Sequence, residues 1–282
     1  MRGFNGTLLV CSESTKNFMT GFDKVRVVKG APDISILDEL GTYEKVTAIG
    51  GGAVIDTAKI LAKNPIISYP TTAAGSTETS WSVYWDGKKK CSVKRHKPRD
   101  VIIDSEFLNI PYIVKAETTF DVVSHCLDSL NSKKATKESI DYCNGALKIL
   151  RNQGRGNADL IRAGREAGKA IEIAGEGNVD LIRAGREAGK AIEIAGTNLL
   201  HSLSYPLTGY YSISHGLALG YFLPKISDFM MHDVDGIISQ FSNFTVDFDI
   251  DLEMVVDEAL KYNKIYESNI FIDRKTLLEV LK

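Results

Sequence analysis

The chain has 282 residues, the length of about two average domains, and its 44% hydrophobic and 25% charged residues are typical of a globular protein rather than a disordered or fibrous one. Its 34 basic and 36 acidic residues leave a net charge of −2, which provides no general attraction to nucleic acid or to an anionic membrane. The four scattered cysteines form no CxxC pair and no apolar run reaches the roughly 20 residues that cross a bilayer, so we expect a cytoplasmic protein without a disulfide framework or a zinc knuckle.

The first part of the chain, residues 1–110, has the pattern of an α/β nucleotide-binding domain, with short apolar runs separated by turn residues and one well-marked helix. The runs are continuous rather than alternating, which suits parallel strands covered on both faces. Residues 82–85 and 91–93 flank Asp86-Gly87, which predicts a hairpin that projects from the sheet, with Trp81 and Trp85 expected in the core. Parallel strands are predicted at 7–11, 24–28, 46–49, 66–69 and 101–103.

Three consecutive glycines, Gly50, Gly51 and Gly52, lie between the predicted strand at 46–49 and a predicted helix at 53–61. Because glycine has no Cβ, backbone N–H groups can approach a phosphate closely here, and the helix N-terminus adds a partial positive charge. Glycines also form tight strand-to-helix turns where no ligand binds. The motif alone therefore leaves both interpretations open.

Residues 111–282 show apolar spacings of three and four, which predict an all-α second domain. Asp121 and His125 lie four residues apart and therefore project from one face of a helix. His201 and His215 lie much further along, so three of the five histidines belong to this set. One carboxylate and three imidazoles suit Fe(II) or Zn(II). Each histidine taken singly is more simply explained as a core or surface residue.

A 17-residue segment at 159–175, DLIRAGREAGKAIEIAG, recurs unchanged at 180–196 within a tandem repeat that spans 156–197. Each copy has a capping Asn-x-Asp, helical apolar spacing and a closing glycine, which predicts two similar helices in tandem. A solenoid needs about three repeats, so we interpret the segment as a recent or engineered duplication of one helix. The sequence leaves open which copy docks on the domain.

Four segments, taken together, resemble the iron-containing (group III) alcohol dehydrogenase family, and the last one is most similar to its phosphonoacetaldehyde reductase branch. The resemblance implies a dehydroquinate synthase-like architecture, an α/β nucleotide-binding domain followed by a helical metal-binding domain, here shortened and with a duplicated helix. The segments are GGGAVIDTAK at 50–59, PTTAAGSTETS at 70–80, TTFDVVSHCLDS at 118–129 and HSLSYPLTGYYSISHG at 201–216.

The resemblance also implies roles for individual residues. Lys90 would reach the nicotinamide ribose, and Asp121, His125, His201 and His215 would be the metal ligands. The implied reaction is hydride transfer between a nicotinamide cofactor and a metal-bound carbonyl. The implied substrate is a small aldehyde or alcohol. The resemblance leaves open whether the protein forms a homo-oligomer. The residues expected around the dinucleotide are Gly50, Gly51, Gly52, Asp56, Lys59, Thr71 and Thr72.

Three departures from the family pattern qualify this interpretation. Lys29 stands where many members carry an aspartate at the adenosine ribose, and an ammonium group attracts a 2′-phosphate, which favours NADPH over NADH. Tyr205 replaces the second histidine of the family's first pair. It either delivers the proton to the product alcohol in place of that histidine or has only a packing role. The helix after Cys11 and the region after Pro224 are shorter than the family norm. Because of these shorter regions, a second interpretation stays open: a catalytically impaired or engineered truncated scaffold of the same family. A relative of the sugar-phosphate cyclases or glycerol-phosphate dehydrogenases is a further alternative.

Basic residues are concentrated around the predicted hairpin. They are explained either as a solvated edge or as a site where Lys94, Arg95 or His96 meets a phosphonate or phosphate group of the substrate. The cationic residues are Lys88, Lys89, Lys90, Lys94, Arg95, Lys97 and Arg99.

Overall fold

The computed structural model describes residues 4–18, 20–163, 167–244 and 248–282, with the side chains of 4–5, 153–163, 167–177 and 242–244 outside that description. Its first part is a five-stranded parallel sheet with the strand order β2-β1-β3-β4-β7 and a separate two-stranded hairpin, β5-β6. The elements are β1 (Phe4–Ser12), β2 (Lys24–Val28), β3 (Tyr43–Gly50), α1 (Gly52–Leu61), β4 (Ile67–Pro70), β5 (Trp81–Asp86), β6 (Lys89–Lys94) and β7 (Asp100–Val101).

Both faces of the sheet are covered at its centre, as the continuous apolar runs predict. Leu8 and Val10 of β1 face the cluster formed with α1, whereas Leu9 and Cys11 face the opposite side, where Phe107 packs. The cover is thin at the β2 edge, because residues 13–17 form turns instead of a helix. The expected shortening after Cys11 is therefore present.

The predicted hairpin forms around Gly87, which has φ of +57°, and Trp85 pairs with Lys90 across the two strands. Its tip rests on helix α5 so closely that a Cβ on Gly209 would lie 2.4 Å from the carbonyl oxygen of Lys88. The expectation that Trp81 lies in the core is wrong, since this side chain is 47% exposed at the start of the hairpin, where it projects from the sheet.

The second part is helical, and α2 lies at its centre with α3, α4, α5 and α6 packed around it. This position explains why α2 has buried residues on all sides, including the polar Asp121, His125 and Asp128. The helices are α2 (Tyr112–Leu130), α3 (Lys137–Ala163), α4 (Ala167–Ala195), α5 (Leu199–Tyr211), α6 (His215–Phe229), α7 (Asp235–Ile238), α8 (Leu252–Ala259) and α9 (Arg274–Leu281).

The repeat does not form two separate helices. Helix α4 runs without a break from Ala167 to Ala195, through Gly175 at the end of the first copy, and the first copy is divided between α3 and α4. Glycine inside a helix costs only about 1 kcal/mol, so it does not force the helix to end. In the second copy, Leu181, Ala184 and Ala188 are fully buried, so this copy docks on the domain. The first copy's side chains lie outside the described residues.

The predicted fold class, an α/β first part followed by a helical second part, is confirmed, whereas the duplicated segment forms parts of α3 and α4 rather than two separate helices. The division at residue 110 remains a prediction, since the hairpin of the first part packs on α5 of the second. Among the described helices, none combines the length and apolar character needed to cross a membrane.

Candidate metal centre and nucleotide-binding edge

Three imidazole rings converge on a single carboxylate oxygen between α2, α5 and α6. The Nε2 atoms of His125, His201 and His215 lie 3.4, 3.4 and 3.8 Å from Asp121 Oδ1. Asp121 and His125 come from successive turns of α2, whereas His201 lies near the start of α5 and His215 begins α6. The structure thus brings together all four residues that the sequence singled out.

The donor set fits a divalent cation, although not all four residues are equally close. Atoms of Asp121, His201 and His215 that could bind a metal all lie within 4.8 Å of one another. His125 is outside that group of three, but its ring stacks on His201 with centroids 4.6 Å apart. Asp121 Oδ1 and His201 Nε2 are buried without a hydrogen-bond partner. Because buried polar atoms are normally paired, these two are suited to hold Fe(II) or Zn(II).

The charges in the cluster also favour a cation. Burial alone would raise the pKa of Asp121, but the surrounding imidazoles, His125 foremost, hold that pKa well below its usual range. Burial lowers the pKa of His125 to about 4, and burial together with the nearby Lys90 charge lowers the pKa of His215. Burial would also lower the pKa of His201, but the nearby carboxylates of Asp121 and Asp128 raise it above its ordinary value. An ionised Asp121 beside neutral His125 and His215 suits metal binding, which requires deprotonated ligands.

Lys90 and Tyr205 border the cluster. Lys90 Nζ lies 3.4 Å from His215 Nε2 and 4.5 Å from the centre of the Tyr205 ring. Burial lowers the pKa of Lys90 to about 8. The Tyr205 ring stacks near His215, at a centroid distance of 6.1 Å. Burial raises the pKa of Tyr205, so the hydroxyl holds its proton at neutral pH.

Two further residues bind the outer nitrogens of the imidazoles, and the sequence analysis had not selected them. Asp128 Oδ2 lies 2.9 Å from His201 Nδ1, and Ser204 Oγ lies 3.3 Å from His215 Nδ1. Asp128 follows His125 by three residues on α2, so helical spacing alone could have indicated it as a neighbour of the cluster.

The residues predicted to bind the dinucleotide meet at one edge of the sheet. The register pairs Ser12 with Val28 and Gly50 with Pro70, so the strand ends that precede Lys29, Gly51 and Thr71 lie along the same edge. The strand order reverses there between β1 and β3, which is where open α/β sheets bind ligands.

The glycine turn itself is close-packed against the loop that follows β4. A Cβ on Gly51 would lie 2.8 Å from Thr72 Oγ1, and one on Gly52 would lie 3.1 Å from Ser76 Oγ. Gly52 also begins α1, whose first-turn N–H groups have no acceptor within the helix. This geometry, a side-chain-free turn with unpaired N–H groups, fits a phosphate.

Asp56 and Lys59 lie behind this turn rather than at its surface. Lys59 Nζ is 3.0 Å from Asp56 Oδ1 and donates hydrogen bonds to the backbone carbonyls of Ser76 and Trp81. Asp56 Oδ2 accepts from the N–H of Val83. Any contribution of this pair to nucleotide binding would therefore act through the loop and hairpin that it holds.

Within the basic cluster, the structure shows which residues have protein partners. Arg95 donates to the carbonyls of Lys59 and Ala62 at the end of α1, so the alternative in which it meets the substrate is wrong. Lys97 lies 3.5 Å from Glu193, whereas Lys94 and His96 are exposed.

The fold and site together define a class: a dehydrogenase-like protein with a parallel sheet in its first part and a candidate Asp/His metal site in a helical second part. Two family models match the sequence, "Iron-containing alcohol dehydrogenase" over residues 22–110 and "Fe-containing alcohol dehydrogenase family, C-terminal" over residues 115–259. The chain belongs to the iron-containing alcohol dehydrogenase family and is an oxidoreductase.

Solved structures support the fold. An iron-containing alcohol dehydrogenase from Thermotoga maritima is 20% identical with a TM-score of 0.74, over 97% of this chain and 90% of that one. A sulfoacetaldehyde reductase from Bifidobacterium kashiwanohense, in complex with NAD+, is 20% identical with a TM-score of 0.77, over 98% and 90% of the two chains. A maleylacetate reductase from a Rhizobium species is 15% identical with a TM-score of 0.75, over 98% and 88%. No curated protein matches the sequence.

Proposed function

We propose that this protein is a cytoplasmic, metal-dependent NAD(P)H oxidoreductase that reduces a small anionic aldehyde to an alcohol, with phosphonoacetaldehyde as the leading substrate. The observation that carries the proposal is the convergence of three imidazoles on Asp121 Oδ1, in a chain of the iron-containing alcohol dehydrogenase family.

Asp121, His125, His201 and His215 would hold Fe(II) or Zn(II). Bound there, the metal supplies Lewis-acid polarisation of a carbonyl oxygen, and a reduced nicotinamide supplies the hydride. The four side chains would fix the position of the metal, and Asp121, His125 and His201 are buried.

The sheet edge would hold the dinucleotide. Gly50, Gly51 and Gly52 allow the tight turn into α1, at whose N-terminus the pyrophosphate would bind, and Thr71 and Thr72 belong to the neighbouring loop. Lys29 follows β2 on the same edge and is exposed, so its ammonium group is free to meet a 2′-phosphate. We therefore propose NADPH as the preferred cofactor.

Tyr205 would deliver the proton that the product alcohol needs. Its ring lies beside His215, and its hydroxyl is protonated at neutral pH because burial raises its pKa. Tyr205 would thus take the place of the second family histidine.

The position of Lys90 supports an anionic substrate. Among the described residues, no carboxylate lies within ion-pairing distance of Lys90 Nζ, which lies beside the Tyr205 ring and His215 Nε2. A cavity of about 350 Å³ at the hairpin tip is lined by Lys88, Lys89 and Lys261 and also by Asp86 and Glu258, and Lys261 pairs with Glu258. Lys89 and Lys90 would therefore be the groups that meet a phosphonate or sulfonate group of the aldehyde.

No observation favours the two alternatives that the sequence left open. Asp121 Oδ1 and His201 Nε2 are buried without hydrogen-bond partners, and such atoms destabilise a fold. An inactive scaffold would gain nothing from keeping them. The set of one aspartate and three histidines also differs from the ligand set that the resemblance associates with sugar-phosphate cyclases.

The test is oxidation of NADPH and NADH by the metal-free chain reloaded with Fe(II) or Zn(II), against phosphonoacetaldehyde, sulfoacetaldehyde and propanal. We expect metal-dependent turnover, with a higher kcat/KM for the anionic aldehydes. Lys89→Gln should reduce that preference without lowering kcat/KM for propanal. A chain that binds the metal but oxidises neither cofactor with any aldehyde would contradict the proposed function.

A further inference from the structure

Asp128 is a fully buried carboxylate that joins the metal cluster to the start of α5. It lies on α2, three residues after His125, and its side chain is inaccessible to solvent. Oδ2 accepts from the backbone N–H of Asn198 at 2.8 Å, and Oδ1 accepts from the N–H of Leu200 at 3.0 Å. Oδ2 also lies 2.9 Å from His201 Nδ1.

These contacts determine which nitrogen of His201 carries the proton. Backbone N–H groups can only donate, so the Asp128 oxygens that face them must be acceptors. His201 Nδ1 must then be the donor in its contact with Oδ2. In the neutral ring this leaves Nε2 with a free lone pair, and Nε2 is the atom that faces Asp121 Oδ1 without a hydrogen-bond partner.

The other two imidazoles of the cluster lack such a partner. His125 Nδ1 is buried without a hydrogen bond, and His215 Nδ1 meets only the hydroxyl of Ser204. Among the described residues, His201 is therefore the one cluster histidine whose outer nitrogen is bound by a carboxylate.

We infer that Asp128 is the positioning residue of the metal centre. It stabilises the tautomer of His201 that binds a cation through Nε2, and it holds the first turn of α5 against α2 by hydrogen bonds. The inference rests on the metal site of the proposed function. A carboxylate behind a ligating imidazole raises the basicity of the ligand, and loss of such a partner typically lowers metal affinity about 10- to 100-fold.

The same residue couples metal binding to helix packing. Asp128 holds the N–H groups of residues 198 and 200 at the beginning of α5, where the helix has unpaired donors and a partial positive charge. Because His201 lies in that first turn, any shift of α5 against α2 would move its ring away from Asp121. Asp128 thus opposes two movements, rotation of the imidazole and displacement of the helix.

The experiment compares Asp128→Asn with Asn198→Ala. The asparagine keeps one oxygen acceptor but places an amide where the carboxylate was, so it can no longer hold Nδ1–H and both backbone donors. Asn198→Ala removes the hydrogen bonds of Asn198 to Leu199 N and to the backbone carbonyl of Asp128, but leaves the Asp128 carboxylate in place. This variant therefore measures how Co(II) affinity changes when the contact between α2 and the start of α5 is weakened but the hydrogen bond to His201 is kept.

Co(II) alone, added to each full-length, metal-free protein, is the probe, and affinity is read from the visible absorption of the bound ion. We expect Asp128→Asn to bind Co(II) at least about tenfold more weakly and Asn198→Ala to bind it within about twofold of the unmodified chain, even if both lower the melting temperature. Equal losses of affinity in the two variants would make Asp128 merely structural and overturn the inference.

A second readout needs no variant. In the unmodified metal-free chain at alkaline pH, the nitrogen chemical shifts of His201 should show Nδ1 protonated and Nε2 bare. Protonation at Nε2 would overturn the inference, as would an unmodified chain that fails to bind Co(II). Neither readout requires turnover, so a failed reductase assay would contradict the proposed function and leave this role of Asp128 standing.

Discussion

Gly185 lies so close to the loop after β4 that a Cβ on it would be 2.2 Å from the carbonyl oxygen of Ala73. One turn later, a Cβ on Gly189 would be 2.6 Å from the carbonyl oxygen of Gly75. Arg186 donates to Glu78 Oε1 at 2.5 Å between these two contacts. The second repeat copy therefore supports the loop that packs against the glycine turn, which connects the duplicated segment to the predicted nucleotide site.

Gly185→Ala should destabilise the protein, because backbone atoms of Ala73 cannot yield as a flexible side chain would. Overpacking of this kind costs about 1–3 kcal/mol, measured as the free energy of unfolding in urea. Gly145→Ala in α3 is the matched control, since a Cβ on that helical glycine would meet nothing within 4 Å. Equal destabilisation by the two substitutions would contradict the assignment of the second copy to this docking site.

The choice between the copies could not be predicted from the sequence, because the two segments are identical from 159–175 and 180–196. What differs is the connection that follows. The second copy leads through residues 197 and 198 into α5, and the helix that contains it packs against α2 and α3. The continuity of α4 through Gly175 was also not predictable, since it depends on the packing of the whole helix rather than on the local closing glycine.

Lys59→Met should lower the free energy of unfolding by about 3–5 kcal/mol, because it leaves Asp56 as an uncompensated buried charge. The Lys59 side chain is fully buried and holds backbone carbonyls of the loop and hairpin. Lys63→Met is the control, since its ammonium group is 61% exposed beside Glu44 and should contribute no more than about 1 kcal/mol. A stable Lys59→Met variant with altered cofactor affinity would favour a direct role in nucleotide binding.

His215→Ala should abolish metal-dependent stabilisation while leaving the metal-free fold intact, because His215 begins α6 and its side chain is partly exposed. A ligand at about 100 times its Kd stabilises a protein by about 2.7 kcal/mol, so the unmodified chain should gain several degrees in melting temperature with Zn(II) and the variant should gain none. His232→Ala, a histidine outside the cluster, should retain the gain. Unchanged metal stoichiometry in His215→Ala would remove this residue from the site.

Lys29→Asp should shift the cofactor preference from NADPH toward NADH. A carboxylate at this exposed position at the end of β2 repels a 2′-phosphate and accepts hydrogen bonds from ribose hydroxyls. We expect the ratio of kcat/KM for NADPH to that for NADH to fall by about tenfold or more, the equivalent of about 1.4 kcal/mol. Lys45→Asp introduces the same charge change in β3, away from the strand ends, and should leave the ratio unaltered. An unaltered ratio in Lys29→Asp would contradict the assignment.

Much of the metal centre could be predicted from local spacing, because Asp121 and His125 occupy successive turns of one helix. The approach of His201 and His215 to them was implied by the family resemblance and depends on how α5 and α6 pack on α2. Lys90 shows the limit of such inference. Its contact with the nicotinamide ribose stays a prediction, whereas its position beside His215 Nε2, where the hairpin folds over α5, was not predictable. Contacts between distant segments of this kind are set by tertiary packing and leave no pattern in the sequence.

Tyr205→Phe should lower kcat by about 10²–10⁴-fold, the usual contribution of a positioned proton donor, while Co(II) affinity and the KM for the cofactor stay the same. The substitution keeps the ring that packs beside His215 and Lys90 and removes only the hydroxyl group. Tyr266→Phe, an exposed tyrosine in the region that follows α8, is the matched control and should leave kcat unchanged. If Tyr205→Phe retained full kcat, Tyr205 would be a packing residue, and the proton would have to come from another group such as the Lys90 ammonium.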